Sequence, residues 1–515
     1  MTDGERTVLA LDEGTTNAKA FAFSEGGAVL AVSSASVESV YAAGGRVEQS
    51  PEKIWASQVR ALRKVASKAS LGGVAGLGIA NQRETTIVWD TETGGSLYPA
   101  IVWQDKRGLS IIESMSPDER ALVQERTGLI PDPYFSAPKL AWLLDKYPRL
   151  RAKAETGHAK FGTVDSYLIW KLTGGRVHAT DSSNASRTML MNLRTLEWDE
   201  EILRMMRIPG LMLPDIRASS GHYGDVDQGI LGRRIPITGV AGDQQAALLG
   251  HAALERGHVK STIGTGAFVL MNSGPTAMRS RNLLNTVAWT IGKTTTYAME
   301  GSILAAGSAV RWLVAGARLA GSVGEVEREA AKVDGSGGVF FVPALSGLGA
   351  PFWDPHARGL MIGMTHGTTR PEILRAAIES MAFLTRDVVE EMSSDIGRSV
   401  RTLSVDGGAA GSDFLLRVMA DITGMRITRP DLIETTARGA AFLAGLHSGV
   451  WRIGDLRSLV GDGETFNPRS SSSERAALYR GWKEAVTRAR GWERAASSLP
   501  GDRHVAGTTT RPSHR

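Results

Sequence analysis

The run Val8-Leu9-Ala10-Leu11-Asp12-Glu13-Gly14-Thr15-Thr16, with the apolar Ala20–Phe23 behind it, is the stretch on which the fold turns. It reads as a strand, a tight turn carrying small hydroxyl side chains, and a second strand. About 250 residues later the pattern returns: an apolar-leaning strand from Val259 reaches Ile263-Gly264-Thr265-Gly266, and Phe268–Met271 follows. Two such hairpins predict two related domains, each offering a backbone turn to one shared ligand, with the boundary near Gly250–Gly257.

Working outward, apolar runs alternate with amphipathic stretches. Leu77–Ala80, Thr86–Trp89, Ile237–Ala241 and Leu403–Val405 read as strands. Gln244–Leu254, Glu372–Met392, Phe414–Ile422 and Thr436–Leu446 carry helical spacing, and Ser50-Pro51 opens a helix with a serine cap and proline in its first turn. Strands followed by helices predict an α/β architecture. Residues 1–252 and 253–494 are assigned to two domains. Ala495–Arg515, rich in Ser, Thr, Gly and Pro, is expected to be a disordered tail.

Composition narrows the function. At 515 residues the chain exceeds one ordinary core, and 42% hydrophobic with 22% charged residues describes a globular protein. With 0 cysteines, disulfides, thiolate metal sites and a cysteine nucleophile are excluded. The polar Met1–Thr7 does not read as a signal peptide, and no apolar run approaches the ~20 residues of a membrane span, so a cytoplasmic location without membrane insertion is expected. The net charge of +5 is concentrated at the end: Lys483–Arg515 holds seven Lys/Arg against three Asp/Glu. That distribution describes a solvated tail, and no nucleic-acid partner is expected.

Several turns can carry chemistry. Asp12 stands beside Thr15 and Thr16, where backbone N–H groups and hydroxyls can hold phosphate oxygens and the carboxylate can hold Mg²⁺ through water; an ordinary hairpin would look the same. Asp406-Gly407-Gly408-Ala409 leads a strand into a helix, a turn that suits a nucleotide or simply connects two elements. Asp243, between a buried strand and a helix, could cap that helix or accept a proton from a substrate hydroxyl. Arg83 and Glu84, in Asn81-Gln82-Arg83-Glu84-Thr85-Thr86, could donate to and accept from a polyol's hydroxyls, with Trp103 or Phe268 walling its carbons. Neither a Walker-type phosphate loop nor a Gly-x-Ser-x-Gly elbow is present.

Taken together, these segments resemble the FGGY family of carbohydrate kinases, and within it the members that phosphorylate glycerol. The likeness runs from about Val8 to Trp492. It rests also on Ala100-Ile101-Val102-Trp103-Gln104, Asp132-Pro133-Tyr134-Phe135-Ser136, Asn184-Ala185-Ser186-Arg187-Thr188-Met189, Ala241-Gly242-Asp243-Gln244-Gln245 and Gly347-Leu348-Gly349-Ala350-Pro351-Phe352-Trp353. The resemblance implies two actin-like (ribonuclease-H-like) ATPase domains around a central cleft in which ATP and polyol meet. By position, Arg83, Glu84, Trp103, Tyr134, Asp243, Gln244 and Phe268 would line the polyol site, with Asp243 as general base. Asp12 would position Mg²⁺. Thr15, Thr16, Lys19, Thr265 and Gly266 would hold phosphates, and Gly307, Arg311, Gly408, Ala409 and Asp413 would approach the nucleoside.

Four positions depart from the family pattern: Glu13 for Gln, Lys19 for Arg, Arg311 for Gln and Asp413 for Asn. Glu13 is expected to add a negative charge near the phosphates, and Arg311 to pair with Asp413 across the adenine pocket. Gly232 and Arg234 match positions that bind fructose 1,6-bisphosphate at a tetramer interface in some bacterial members, and a homo-oligomer, dimer or tetramer, is expected. Two alternatives stand beside glycerol: a kinase for erythritol, threitol, dihydroxyacetone or a similar small polyol or ketose, and a non-catalytic actin-like nucleotide switch.

Overall fold

A computed structural model describes residues 6–69 and 73–493. The tail assigned as disordered lies outside the described residues. Strands β1 (Thr7–Glu13) and β2 (Asn17–Ser24) form the first expected hairpin, with Asp12 opposite Lys19. β3 (Val29–Ser36) continues the meander, and β4 (Val74–Asn81) and β5 (Ile237–Gly242) add in parallel beyond β1, giving the order β5-β4-β1-β2-β3.

Within β1, Val8–Leu11 is apolar without interruption because both faces of the strand are covered. Leu9 and Leu11 pack with Ile54 and Leu62 of α1 (Pro51–Ala66), whereas Val8 and Ala10 pack with Ala440 and Ala441 of the helix Thr435–His447. Helix α1 starts as the sequence predicts: the Ser50 hydroxyl accepts from the Lys53 amide at 3.3 Å, and Pro51 occupies the first turn.

The second sheet comprises β6 (Val259–Ile263), β7 (Ala267–Gly274), β8 (Leu284–Ile291), β9 (Thr294–Ile303), β10 (Thr402–Asp406), β11 (Arg426–Arg429) and β12 (Glu464–Phe466). Its order is β8-β9-β7-β6-β10-β11-β12. Without the edge strands β8 and β12, it repeats the first sheet: β10 and β11 run parallel beside β6, and β7 and β9 run antiparallel on its other side. The repeat read from two hairpins therefore extends to five strands.

The chain passes from one sheet to the other after α2 (Asp243–Gly250). Helix α3 (Gly307–Ala315) follows β9. The long α4 (Arg370–Ile396) and α5 (Asp413–Thr423) cover one face of the second sheet, their Leu374, Phe383, Leu416 and Met419 packing with Leu403, Val405 and Ile427. Helix α6 (Thr435–His447) comes late in the chain but lies on the first sheet, against α2. The approach is close enough to require glycine: a Cβ on Gly439 would stand 1.8 Å from the Ala246 carbonyl oxygen, and one on Gly78 would stand 2.1 Å from that of Ala440.

Candidate functional site

Parallel strands end where α/β sheets bind ligands. In the first sheet Asp12 lies near the end of β1, Arg83 and Glu84 follow β4, and Asp243 follows β5. In the second, the Gly264-Thr265-Gly266 turn follows β6 and the Asp406-Gly407-Gly408 turn ends β10. Gly407 lies directly on β6, since a Cβ there would meet the Ile263 carbonyl oxygen at 2.7 Å.

Three rings expected to wall a substrate come together. Trp103 stands edge-on to Tyr134, centroids 5.7 Å apart at 85°, and to Phe268, 6.2 Å apart at 74°. The Trp103 indole N–H donates to the Thr15 hydroxyl at 3.0 Å, tying the cage to the first hairpin. At its base the Arg83 guanidinium lies 5.6 Å from the Phe268 ring centre.

Arg83 and Glu84 are buried within a larger charge cluster. Arg83 donates to Glu300 of β9, with Nη2 to Oε1 at 3.1 Å. Arg187 donates through Nε to Glu84 at 2.7 Å and through Nη2 to Glu300 at 3.1 Å. Two guanidiniums thus meet two carboxylates, which lets four charges remain out of water. Burial opposes ionisation of Glu300, but Arg187 and Arg83 prevail and hold its pKa down at about 2. At Glu84 burial wins over the same two arginines, and the carboxyl sits above its ordinary range. Neither Arg187 nor Glu300 was singled out as a site residue from sequence. Arg187 stood within a quoted family segment, whereas Glu300 interrupts an apolar strand with a lone charge, a signal that on its own names no partner.

Asp243, the first residue of α2, has a carboxylate with one engaged oxygen. Oδ1 accepts from the Gln244 amide at 2.7 Å and lies 3.2 Å from Arg83 Nε. Among the described residues, no protein donor reaches Oδ2. Burial raises the pKa of this group above the usual aspartate value, against the opposing charges of Arg83 and Lys260. The Gln244 side-chain oxygen accepts from the Lys260 ammonium, which also donates to Thr262 at 2.8 Å. Lys260 is itself fully buried, and burial lowers its pKa to about 8 despite Asp406 and Asp243 nearby.

The anion-binding candidates divide into three groups. Thr15 is bonded into the cage while Thr16 is exposed. In the second hairpin Thr265 packs on the start of α3: the Gly307 amide donates to Gly264 at 3.0 Å and the Ser308 amide to Thr265 at 2.9 Å. Gly266 lies flat on β9, where a Cβ would meet the Ile303 carbonyl oxygen at 2.5 Å. Gly408 and Ala409 form the short turn Gly408–Gly411 before Asp413 opens α5. Apart from the cleft, Gly232 closes a short helix with φ of 77° and Arg234 is exposed beside it.

Three sequence expectations are corrected. Glu13 is not an exposed charge: it is fully buried, neither carboxyl oxygen has a hydrogen-bond partner among the described residues, and burial and then Asp12 push its pKa well above its ordinary value. Its side chain is close in shape to glutamine. Lys19 does not stand free for phosphate, because its ammonium bonds both oxygens of Glu434 at 2.8 Å. Arg311 and Asp413 do not pair: Arg311 donates to the Thr265 hydroxyl at 2.8 Å, and Asp413 lies 2.8 Å from Arg429 of β11. Each found a nearer partner on its own side of the turn.

Asp12 is half-buried near the end of β1. Loss of water raises its pKa to about 7, with Lys19 opposing and Asp243 and Glu434 adding to the rise. Such repulsion among carboxylates marks a place where a cation is favourable. Among the described residues no three His, Cys, Asp or Glu side chains form a dedicated metal cage. A hard cation held by one carboxylate, water and a ligand's phosphates needs none.

Comparison with known proteins places this architecture. The N-terminal domain model of the FGGY family of carbohydrate kinases matches residues 7–250, and the C-terminal domain model matches residues 259–448. Glycerol kinase 2 of Sulfolobus acidocaldarius is 50% identical over 491 residues, covering 95% of this chain and 98% of that protein. Glycerol kinase 1 of Saccharolobus solfataricus is 49% identical over 493 residues, with 95% and 98% covered. The crystal structure of Plasmodium falciparum glycerol kinase with ADP superposes with a TM-score of 0.88 at 34% identity, over 94% of this chain and 98% of that one. With both domain models matched in order and relatives half-identical across nearly their whole length, the chain belongs to the FGGY family of carbohydrate kinases.

Proposed function

We propose that the protein transfers the γ-phosphoryl group of ATP to a terminal hydroxyl of glycerol, yielding sn-glycerol 3-phosphate and ADP. The observation that carries this reading is the unengaged Asp243 Oδ2 beside a three-ring cage whose base is the Arg83–Glu84 pair. The rings take the carbon chain, while Arg83 donates to and Glu84 accepts from its hydroxyls. Asp243 accepts the terminal hydroxyl's proton as that oxygen bonds to phosphorus and ADP departs. Arg83 at Oδ1 fixes the carboxylate so that its other oxygen faces the proton to be removed.

Phosphoryl transfer demands alignment and charge neutralisation more than covalent chemistry. The Gly264-Thr265-Gly266 turn and Arg311 would hold phosphate oxygens, and Gly408 and Ala409 would let the nucleoside approach the backbone. Asp12 would hold Mg²⁺, which when bound neutralises charge on the transferred group. Lys19, bonded to both oxygens of Glu434, would reach a phosphate only if that pair opened.

Incubation with Mg-ATP and glycerol, followed by stereospecific analysis of the product, tests the reading. The expected product is sn-glycerol 3-phosphate alone. A racemic phosphate, or ADP formed with no phosphorylated polyol, overturns it.

A further inference from the structure

The second sheet differs from the first in one respect that the reaction does not use. Along β10, Thr402 and Ser404 alternate with buried Leu403 and Val405; along β11, Arg426 and Thr428 alternate with buried Ile427. A period of two with one polar face describes a strand covered on one side only. That polar face forms the floor of a groove of about 870 Å³, where the Ser404 and Thr428 hydroxyls lie 3.0 Å apart.

The walls of the groove are cationic. Arg398, Arg401 and Arg426, near the starts of β10 and β11, line it together with Arg256 and Arg457. Against these five guanidiniums stand two carboxylates, Glu255 and Asp462. Glu255 accepts from Arg457 at 3.3 Å, with both side chains largely exposed. Among the described residues, the side chains of Arg398, Arg401 and Arg426 have no hydrogen-bond or ion-pair partner. Unpaired guanidiniums converging over a floor of hydroxyls present what a phosphate group needs: forked donors at the rim and neutral donors beneath. The volume suits a small molecule.

The position adds a second reason. Arg256 belongs to the segment that carries the chain from α2 into β6, so an occupant would touch the joint between the two sheets. At the inner end His251 lines the groove, and its Nε2 lies 2.8 Å from Oδ2 of Asp406, the residue that begins the Gly407-Gly408 turn. None of the residues lining the groove is among those assigned to the polyol, the phosphates or the nucleoside.

We infer that this groove is a second binding site, for a small metabolite bearing two or more phosphate groups. Inorganic tripolyphosphate is the probe, titrated calorimetrically at about 150 mM salt so that diffuse attraction is screened. The variant Arg398→Ser/Arg401→Ser/Arg426→Ser removes the unpaired wall, and a matched Arg149→Ser/Arg204→Ser/Arg281→Ser variant removes equal charge elsewhere. All six side chains are exposed, so both variants should fold. The wall variant should bind the probe about tenfold or more weakly than the unaltered protein, with turnover of ATP and glycerol in the probe's absence unchanged. The matched variant should bind as the unaltered protein does. Indistinguishable isotherms for the wall variant and the unaltered protein overturn the inference, as does an equal loss in the matched variant.

Discussion

Asp243 has one carboxylate oxygen tied to Arg83 and the Gln244 amide and the other unengaged. If it is the general base, Asp243→Asn should lower turnover by ~10² to 10⁴ with the fold intact. The group must be ionised to act, and burial raises its pKa above the usual aspartate value. Activity should therefore be present above that pKa and lost as the pH falls through it, at a higher pH than an exposed aspartate would give. The residual activity of Asp243→Asn should lack this acid limb. Near-normal turnover with the limb retained would make Asp243 no more than the first residue of α2. Glu13 illustrates what residue type alone leaves open. Its identity suggests an exposed charge, whereas burial without a hydrogen-bond partner favours the protonated form of a carboxyl.

Among the elements, the α2–α6 contact matters most, because α2 begins at Asp243 and α6 spans the seam from the other half of the chain. Gly439 permits that contact, and Gly439→Ala must push α6 away from Ala246. Overpacking of this kind costs about 1–3 kcal/mol. Urea unfolding should show a lower midpoint, and the Michaelis constant for the polyol should rise as Asp243 shifts. An unchanged midpoint would mean that the helices separate without strain. The elements themselves were largely legible. The long helix read as Glu372–Met392 spans Arg370–Ile396, its start fixed by the Thr369–Glu372 capping box and its end by Gly397 at φ of 66°. The helix read as Gln244–Leu254 stops at Gly250 instead, since Ala252 turns to φ of 50° where the chain leaves for the second sheet. Apolar periodicity continues past that point, so periodicity could not mark it.

At the scale of the molecule, two hairpins quoted from sequence proved to be the first strands of two sheets with the same five-strand order. Trp103 and Tyr134 sit in segments that carry the family resemblance and Phe268 sits in the strand after the second hairpin, so the three rings could be named from sequence while their contacts could not. Glu300 and the partners of Arg311 and Asp413 were not named. They depend on how one sheet faces the other and on which loop lies nearer, and neither is encoded in local spacing. Glu300 meets Arg83 and Arg187 only because β9 of the second sheet comes up against the strand ends of the first.

If the ring cage is shaped for a three-carbon polyol, specificity constants will rank glycerol above longer polyols and ketoses. ADP formation from Mg-ATP should be measured with glycerol, dihydroxyacetone, erythritol, threitol and xylulose under one set of conditions. Glycerol should have the highest kcat/KM by about tenfold or more, a margin of ~1.4 kcal/mol in transition-state binding. A four-carbon polyol that matches or exceeds glycerol, or ATP turnover that no polyol stimulates, would contradict it.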